Sequence, residues 1–235
     1  MIKAAVIGVG SMGKNHARVY AELSNVTLVA VVDRDEKTVH KIAKKYGTHS
    51  YLDYEKMLTA EKPEIVSVVV PTALHEDVAT DVMESGFDVL IEKPIAATVE
   101  QGKRLIKKAD ALGRKLMVGH IVRFNPAMQL LKKRLDAGDL GRIFQIVCRR
   151  TGPFPSRIRD VGVVVDLAPH DVDIMRFLTG LNPHSVYAST EQRIHTDHED
   201  LLLALLRFPD NVTGSLEVNW LSPKKVREIC VLGEC

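Results

Sequence analysis

The sequence predicts an α/β plus α+β chain, a doubly wound parallel sheet followed by a second, mostly antiparallel sheet domain. From residue 1 to about 120, short Val/Ile-rich runs alternate with charged helical stretches, the pattern of parallel strands joined by crossover helices. Those runs are apolar on nearly every residue, so both faces of the sheet are covered. Further along, strand-like runs follow one another with turn signals between them and a single helical stretch among them. The expected domains are residues 1–120 and 121–235.

In chain order the expected strands of the first domain are Ile2–Ile7, Thr27–Val32, a brief His49–Tyr51, Ile65–Val70, Asp88–Ile91 and Leu116–Val118. Helices are expected around Lys14–Leu23, Glu36–Tyr46, Tyr54–Ala60, His75–Glu84 and Val99–Leu112, several with a glycine just past the end. After Arg123, Asn125-Pro126 suits a helix start, and the helix runs to Ala137 and stops at Gly138. Beyond it Ile143–Arg150, Ser185–Arg193, Leu201–Phe208, Thr213–Trp220 and Val226–Leu232 read as strands. Turn signals stand at Pro209-Asp210-Asn211 and Ser222-Pro223, and the interrupting helix spans Asp166–Leu178.

Composition narrows the function classes. At 235 residues, with 46% apolar and 26% charged, the chain is ordinary globular material. Thirty-two basic against 30 acidic side chains give +2, too little for a uniform field that holds nucleic acid or an anionic membrane. The apolar run Ile2 to Val9 is too short for a signal sequence or a membrane span. Cys148, Cys230 and Cys235 form no CxxC pair and suit a reducing compartment, so the expected location is cytoplasmic. Cys148 and Cys230 sit in apolar strands and are expected to be buried. The cluster His195, Asp197, His198, Glu199 and Asp200 falls in an expected hairpin loop and reads as a solvated turn, with no metal site expected.

Gly8-Val9-Gly10-Ser11-Met12-Gly13 follows the first strand and opens a helix, and Asp33 ends the second strand. This is the Rossmann dinucleotide fingerprint. Gly8 permits the tight turn, Gly10 lets the backbone approach a pyrophosphate, and Gly13 allows close packing of helix on strand. The helix start at Ser11 and Met12 stabilises the anion. Asp33 would accept hydrogen bonds from the adenosine ribose and repel a ribose phosphate, which favours NAD, while Arg34 beside it leaves NADP open.

Two further motifs carry chemistry: Glu92-Lys93-Pro94 after the fifth strand, and Asp166-Leu167-Ala168-Pro169-His170-Asp171-Val172-Asp173 at the later helix. Lys93 lies at the carboxyl end of a parallel strand, where ligands bind in open α/β sheets. Asp166 and His170, spaced i, i+4, face the same way, with Asp173 on nearly the same face, so one surface presents acid, imidazole and acid. Asp166 also suits an N-cap, which is its alternative role. With the glycine turn and Pro71-Thr72…His75, these motifs resemble the Gfo/Idh/MocA family of sugar and polyol dehydrogenases over essentially the whole chain.

Within that family, Gly119-His120-Ile121-Val122-Arg123-Phe124-Asn125-Pro126 resembles the branch acting on nucleotide sugars, notably UDP-N-acetylglucosamine 3-dehydrogenases, although that branch often has an acidic residue where Val122 stands. The resemblance implies oxidation of a secondary hydroxyl by hydride transfer to NAD(P). His170 would be the acid/base, Lys93 the hydroxyl-orienting and alkoxide-stabilising group, and Asp166 a substrate ligand or electrostatic partner. Pro71, Thr72, His75 and Glu92 would belong to the cofactor site, and Arg123 with Asn125 to the substrate site. The alternative is a non-catalytic dinucleotide-binding sensor or scaffold of the same descent. Val161-Gly162-Val163-Val164-Val165 keeps one glycine where the family is Gly-rich, and family chains generally continue further, so a C-terminally shortened second domain with Val226–Leu232 as an exposed edge is expected. By the same resemblance a homo-oligomer through that second sheet is expected.

Overall fold

A computed structural model describes residues 1–155, 161–194 and 197–235. The chain forms two compact units, Met1–Gly119 and His120–Cys235. In the first, β1 (Ile2–Ile7), β2 (Val26–Val32), β3 (His49–Tyr51), β4 (Ile65–Val68), β5 (Asp88–Ile91) and β6 (Leu116–Val118) alternate with helices. The helices are α1 (Gly13–Glu22), α2 (Glu36–Tyr46), α3 (Tyr54–Glu61), α4 (His75–Glu84) and α5 (Val99–Leu112). All strand pairs are parallel, in the order β3-β2-β1-β4-β5-β6.

The continuous apolar runs have a direct structural counterpart. Alternate residues of β1 enter different cores: Ala5 and Ile7 pack with Met57, Val82 and Leu105, whereas Ala4 and Val6 pack with Ala17, Tyr20 and Val39. A strand sandwiched between two helical layers must be apolar on both faces. Helix ends follow local chemistry. Asp35 and Asp53 accept N–H bonds at the starts of α2 and α3, Thr98 and Gln101 form a capping box at α5, and Gly47 and Gly113 end their helices in the left-handed region. The fourth strand stops at Val68, not Val70, because the chain turns through Pro71 into a short 3-10 segment, Thr72–Leu74.

The second unit contains α6 (Pro126–Asp136), β7 (Ile143–Pro153), α7 (Val163–Asp166), α8 (Ala168–Thr179), β8 (Ser185–Glu191), β9 (Leu201–Arg207), β10 (Thr213–Asn219) and β11 (Leu221–Gly233). Its sheet runs β11-β7-β10-β9-β8, antiparallel throughout except for the parallel pair β7 and β10. One face packs Ile146, Cys148, Leu206, Leu216 and Val218 against Ile174, Met175 and Leu178 of α8.

Several expectations change here. Ser222-Pro223 is not a turn but lies inside β11, where the register with β7 breaks between Leu221 and Val226, since proline cannot donate to the ladder. Among the described residues, strand β11 stands at the sheet edge, paired with β7 alone. Cys148 is buried as expected, but Cys230 is exposed. Its neighbours Ile229 and Val231 pack on the core face, and period-two alternation sends Cys230 outward. A thiol reagent applied to the folded protein should therefore label Cys230 and Cys235 promptly and Cys148 only on unfolding, read by peptide mass. Fast labelling of Cys148 would contradict this packing. Among the described residues no helix is long and apolar enough to cross a membrane.

Candidate active site

The glycine turn sits at the carboxyl ends of β1 and β4, the point where strand order reverses. Gly8 has φ +87°, and a Cβ there would lie 2.4 Å from the Val69 carbonyl oxygen. A Cβ on Gly13 would lie 1.8 Å from the Gly8 carbonyl oxygen, whereas one on Gly10 would meet nothing within 4 Å. Gly8 and Gly13 thus serve the fold, and Gly10 faces open space suited to a ligand. Helix α1 has no side-chain cap and no acid in its first turn, so its N-terminal dipole is uncompensated by the chain. Asp33 accepts the Val9 N–H at 2.8 Å and the Asp35 N–H at 3.0 Å, which fixes its carboxylate beside the turn, and Arg34 is exposed next to it. These residues fit a dinucleotide.

Behind the turn lies a polar network that the sequence reading missed. His16 of α1 makes 2.9 Å contact through Nε2 with Glu92 Oε1 and 3.1 Å contact through Nδ1 with Ser67 Oγ, and Tyr20 Oη lies 2.8 Å from the same Oγ. A carboxylate only accepts, so His16 Nε2 donates to Glu92. The second Glu92 oxygen accepts the Lys93 N–H at 3.1 Å. Burial opposes ionisation of Glu92, but the His16 hydrogen bond and charge, joined by the N–H and ammonium of Lys93, outweigh it and hold the carboxyl below its usual range. Glu92 therefore anchors the backbone of Lys93. Gly119 packs close beside it: a Cβ there would come 3.1 Å from a Glu92 carboxylate oxygen, which would have to shift slightly.

His75 is 1% exposed, and its two ring nitrogens lie 2.9 Å from the Pro94 oxygen and 3.0 Å from the Val70 oxygen. Its ring ties the end of the fourth-strand segment to the Lys93-Pro94 turn, a scaffolding task rather than an open ligand contact. Pro71 is exposed and starts the Thr72–Leu74 turn, where Leu74 N–H bonds the Pro71 oxygen at 2.8 Å.

In the second unit, Asp166 is not an N-cap. It ends the single turn α7, its N–H bonding the Gly162 oxygen at 3.0 Å, and Leu167 precedes α8 with no side-chain cap. The start of α7 is instead covered by Glu199, whose oxygens accept the N–H groups of Val163 and Val164, each at 3.0 Å. The first of those acceptors is the Glu199 backbone oxygen and the second its carboxylate, and a Cβ on Gly162 would lie 2.3 Å from the carboxyl group, so a side chain there would displace it. The turn holding Glu199 and Asp200 is accordingly not a solvated one. Asp200 is fully buried and accepts N–H bonds from Arg193 and Ile194, because a buried carboxylate needs donors. His195 lies outside the described residues, and among those described no cluster is placed to hold a metal.

The expected acid–imidazole–acid surface also changes. Asp166 and His170 are both half-buried, but Asp173 is buried and grips Arg123 through two hydrogen bonds of 2.7 and 2.5 Å. That pair raises Arg123 further above its usual range, chiefly through the hydrogen bond. Asp171, equally buried, grips Arg150 at 2.7 and 2.6 Å. A carboxylate withdrawn from water is stable only when paired, which turns both acids inward. Asn125 accepts the Ala127 N–H at 2.9 Å as the cap of α6. Arg123 and the Asn125 side-chain oxygen are thus engaged within their own unit. Arg150 was detectable in the sequence: it continues the inward series Ile146, Cys148 at period two.

Comparison with known proteins decides the descent. Residues 2–120 match the oxidoreductase family with an NAD-binding Rossmann fold, and residues 128–235 match the Gfo/Idh/MocA C-terminal domain. The chain belongs to the Gfo/Idh/MocA oxidoreductase family. It is 32% identical over 215 residues to UDP-N-acetylglucosamine 3-dehydrogenase of Acidithiobacillus ferrooxidans, covering 92% of this chain and 66% of that one. It is 29% identical to scyllo-inositol 2-dehydrogenase (NAD(+)) of Bacillus subtilis, covering 94% and 68%. Among solved structures it matches GenD2 from gentamicin A biosynthesis in complex with NAD, at TM-score 0.88 and 27% identity over 99% of this chain and 70% of that one. The chain spans about two thirds of the length of these two curated relatives.

As a Gfo/Idh/MocA member, the protein has an NAD-binding first unit. Asp33→Ala should weaken NAD binding by roughly tenfold and narrow the preference over NADP, because hydrogen bonds and phosphate repulsion disappear together. Fluorescence titration with both cofactors checks this, and an unchanged ratio of affinities would move the selection to another residue.

Proposed function

We propose that this protein oxidises a secondary hydroxyl of a sugar or nucleotide sugar, with C3 of UDP-N-acetylglucosamine as the first position to test. The reading is carried by one combination: a glycine turn open at Gly10, Lys93 anchored through Glu92, and half-buried His170 at the start of α8 just after Asp166 at the end of α7. The names of the relatives, which include UDP-sugar, inositol and glucoside dehydrogenases, support the hydroxyl as the reacting group and leave several sugars in play.

Gly10, Ser11, Met12, Gly13, Asp33 and Arg34 would hold the dinucleotide, with Pro71 and Thr72 at its other end. When bound, NAD supplies the hydride acceptor. Lys93 donates a hydrogen bond to the substrate hydroxyl and stabilises the charge on that oxygen as its proton leaves. His170 accepts the proton, and Asp166 stabilises the resulting imidazolium or holds the sugar. Incubation with NAD and a panel of free sugars, inositols and UDP-linked sugars, followed by absorbance of reduced nicotinamide, tests the reading. Turnover of any of them supports it. Retained NAD binding without turnover would replace it with a non-catalytic dinucleotide sensor.

A further inference from the structure

We propose that the second unit carries an anion subsite formed by Arg150 and Arg227, which receives a phosphate group of the substrate while an adjoining apolar wall takes the body of the same ligand. This rests on the dehydrogenase reading and narrows its substrate class to phosphorylated or nucleotide-linked sugars. The place is a cavity of about 420 Å³, within the usual range for small-molecule sites. Arg150 and Arg227 line it together with Ile121, Phe124, Met128 and Ile229.

The arginines stand directly opposite each other on antiparallel strands β7 and β11. Like charges in that relation repel, so something must compensate them. One carboxylate does so for Arg150: its pair with Asp171 leaves the two side chains 13% and 2% exposed. Arg227 has no comparable partner. Its Nη1 donates to the Thr151 oxygen at 2.8 Å and the Val226 oxygen at 2.6 Å, which aim the guanidinium without neutralising it. Among the described residues no carboxylate lies within ion-pair distance of Arg227. Arg227 is exposed at the sheet edge, and partial desolvation, then the charge of Arg150, push it below its usual range, with Asp171 and Asp166 offsetting them only in part.

An incoming anion would supply the missing compensation, and the planar fork of a guanidinium matches phosphate geometry. The opposite wall fits the rest of such a ligand. Ile121 and Phe124 are each 61% exposed, so a large aliphatic and a large aromatic surface stand uncovered beside the charge.

Calorimetry with NAD saturating, so that the dinucleotide site is filled, separates the outcomes. UDP should bind the native protein at least about tenfold more tightly than uridine or inorganic phosphate, and Arg227→Met should lower UDP affinity by roughly 10- to 100-fold. Arg227→Lys, which keeps the charge but loses the fork, should fall between them. In steady state, Arg227→Met should raise KM for a UDP-linked sugar far more than it lowers kcat and shrink the kcat/KM ratio between UDP-linked and free sugar. Equal UDP affinity in native protein and a folded Arg227→Met variant would overturn the subsite. So would phosphate binding as tightly as UDP, since the site would then take a free anion. Arg227-dependent UDP binding without turnover of any sugar would keep the subsite and remove the dehydrogenase reading. Turnover of neutral sugars without Arg227-dependent binding would do the reverse.

Discussion

Lys93→Ala and His170→Ala should each lower kcat by roughly two to four orders of magnitude while NAD still binds. The two losses have different physical origins and are separable. Lys93 supplies a positive charge to an oxygen that becomes negative, so its removal should act at every pH. His170 accepts a proton only as the neutral imidazole, so kcat/KM of the native enzyme should rise with pH as the ring loses its proton, and this limb should vanish in the His170 variant. Cofactor titration and circular dichroism of both variants confirm that binding and fold are retained. A His170 variant with native turnover would rule out the acid/base role.

Lys93 offers a further check on how its position is maintained. Its backbone is held by Glu92, and Glu92 by His16, so the ammonium is mounted on a chain of short bonds running back to Ser67 and Tyr20. Apart from the Glu92–Lys93 bond itself the chain is not local in sequence: His16 and Glu92 are 76 residues apart. The Glu92-Lys93-Pro94 motif was legible and its support was not. The face of α1 was the available signal, since His16 lies one turn after Gly13 and one before Tyr20, both buried against the sheet.

The same distinction runs through the fold. Strands β1, β5 and β6 were legible to the residue, because their largely apolar runs end abruptly at Gly8, Glu92 and Gly119. Segments governed by period-two alternation were legible in type but not in facing, and Cys230 was assigned inward when its register sends it out. Charged residues on core faces were the hardest. Arg123 meets Asp173 and Arg150 meets Asp171 across 50 and 21 residues, and only the packed sheet and helix bring them together. Replacing either arginine by an uncharged residue should cost about 3–5 kcal/mol by leaving the buried carboxylate of Asp173 or Asp171 unpaired. Arg123 is thereby engaged as a strut by Asp173, and both Asp171 and Asp173 turn inward to their arginines.

Gly10→Val and Gly13→Ala should part cofactor binding from stability, although the two glycines belong to one short motif. The turn leaves open space around the missing Cβ of Gly10, so valine should fold there with Tm within about 2 °C of native. That space is where a pyrophosphate would approach the backbone, and valine fills it, so affinities for NAD and NADP should fall alike by roughly 100-fold or more. Gly13 has the opposite constraint. Even the single carbon of alanine would lie 1.8 Å from the Gly8 oxygen, a backbone atom that cannot rotate aside, and α1 must move off β1 to admit it. Overpacking of that kind costs about 3 kcal/mol, or roughly 6–12 °C in Tm for a chain of this size. Saturating NAD should raise the Tm of the native protein and leave that of Gly10→Val unmoved, since only a ligand that binds the folded state stabilises it. Native NAD affinity in Gly10→Val would show that the pyrophosphate does not approach the backbone there, and an unaltered melting curve for Gly13→Ala would mean that the helix does not pack this closely on the strand.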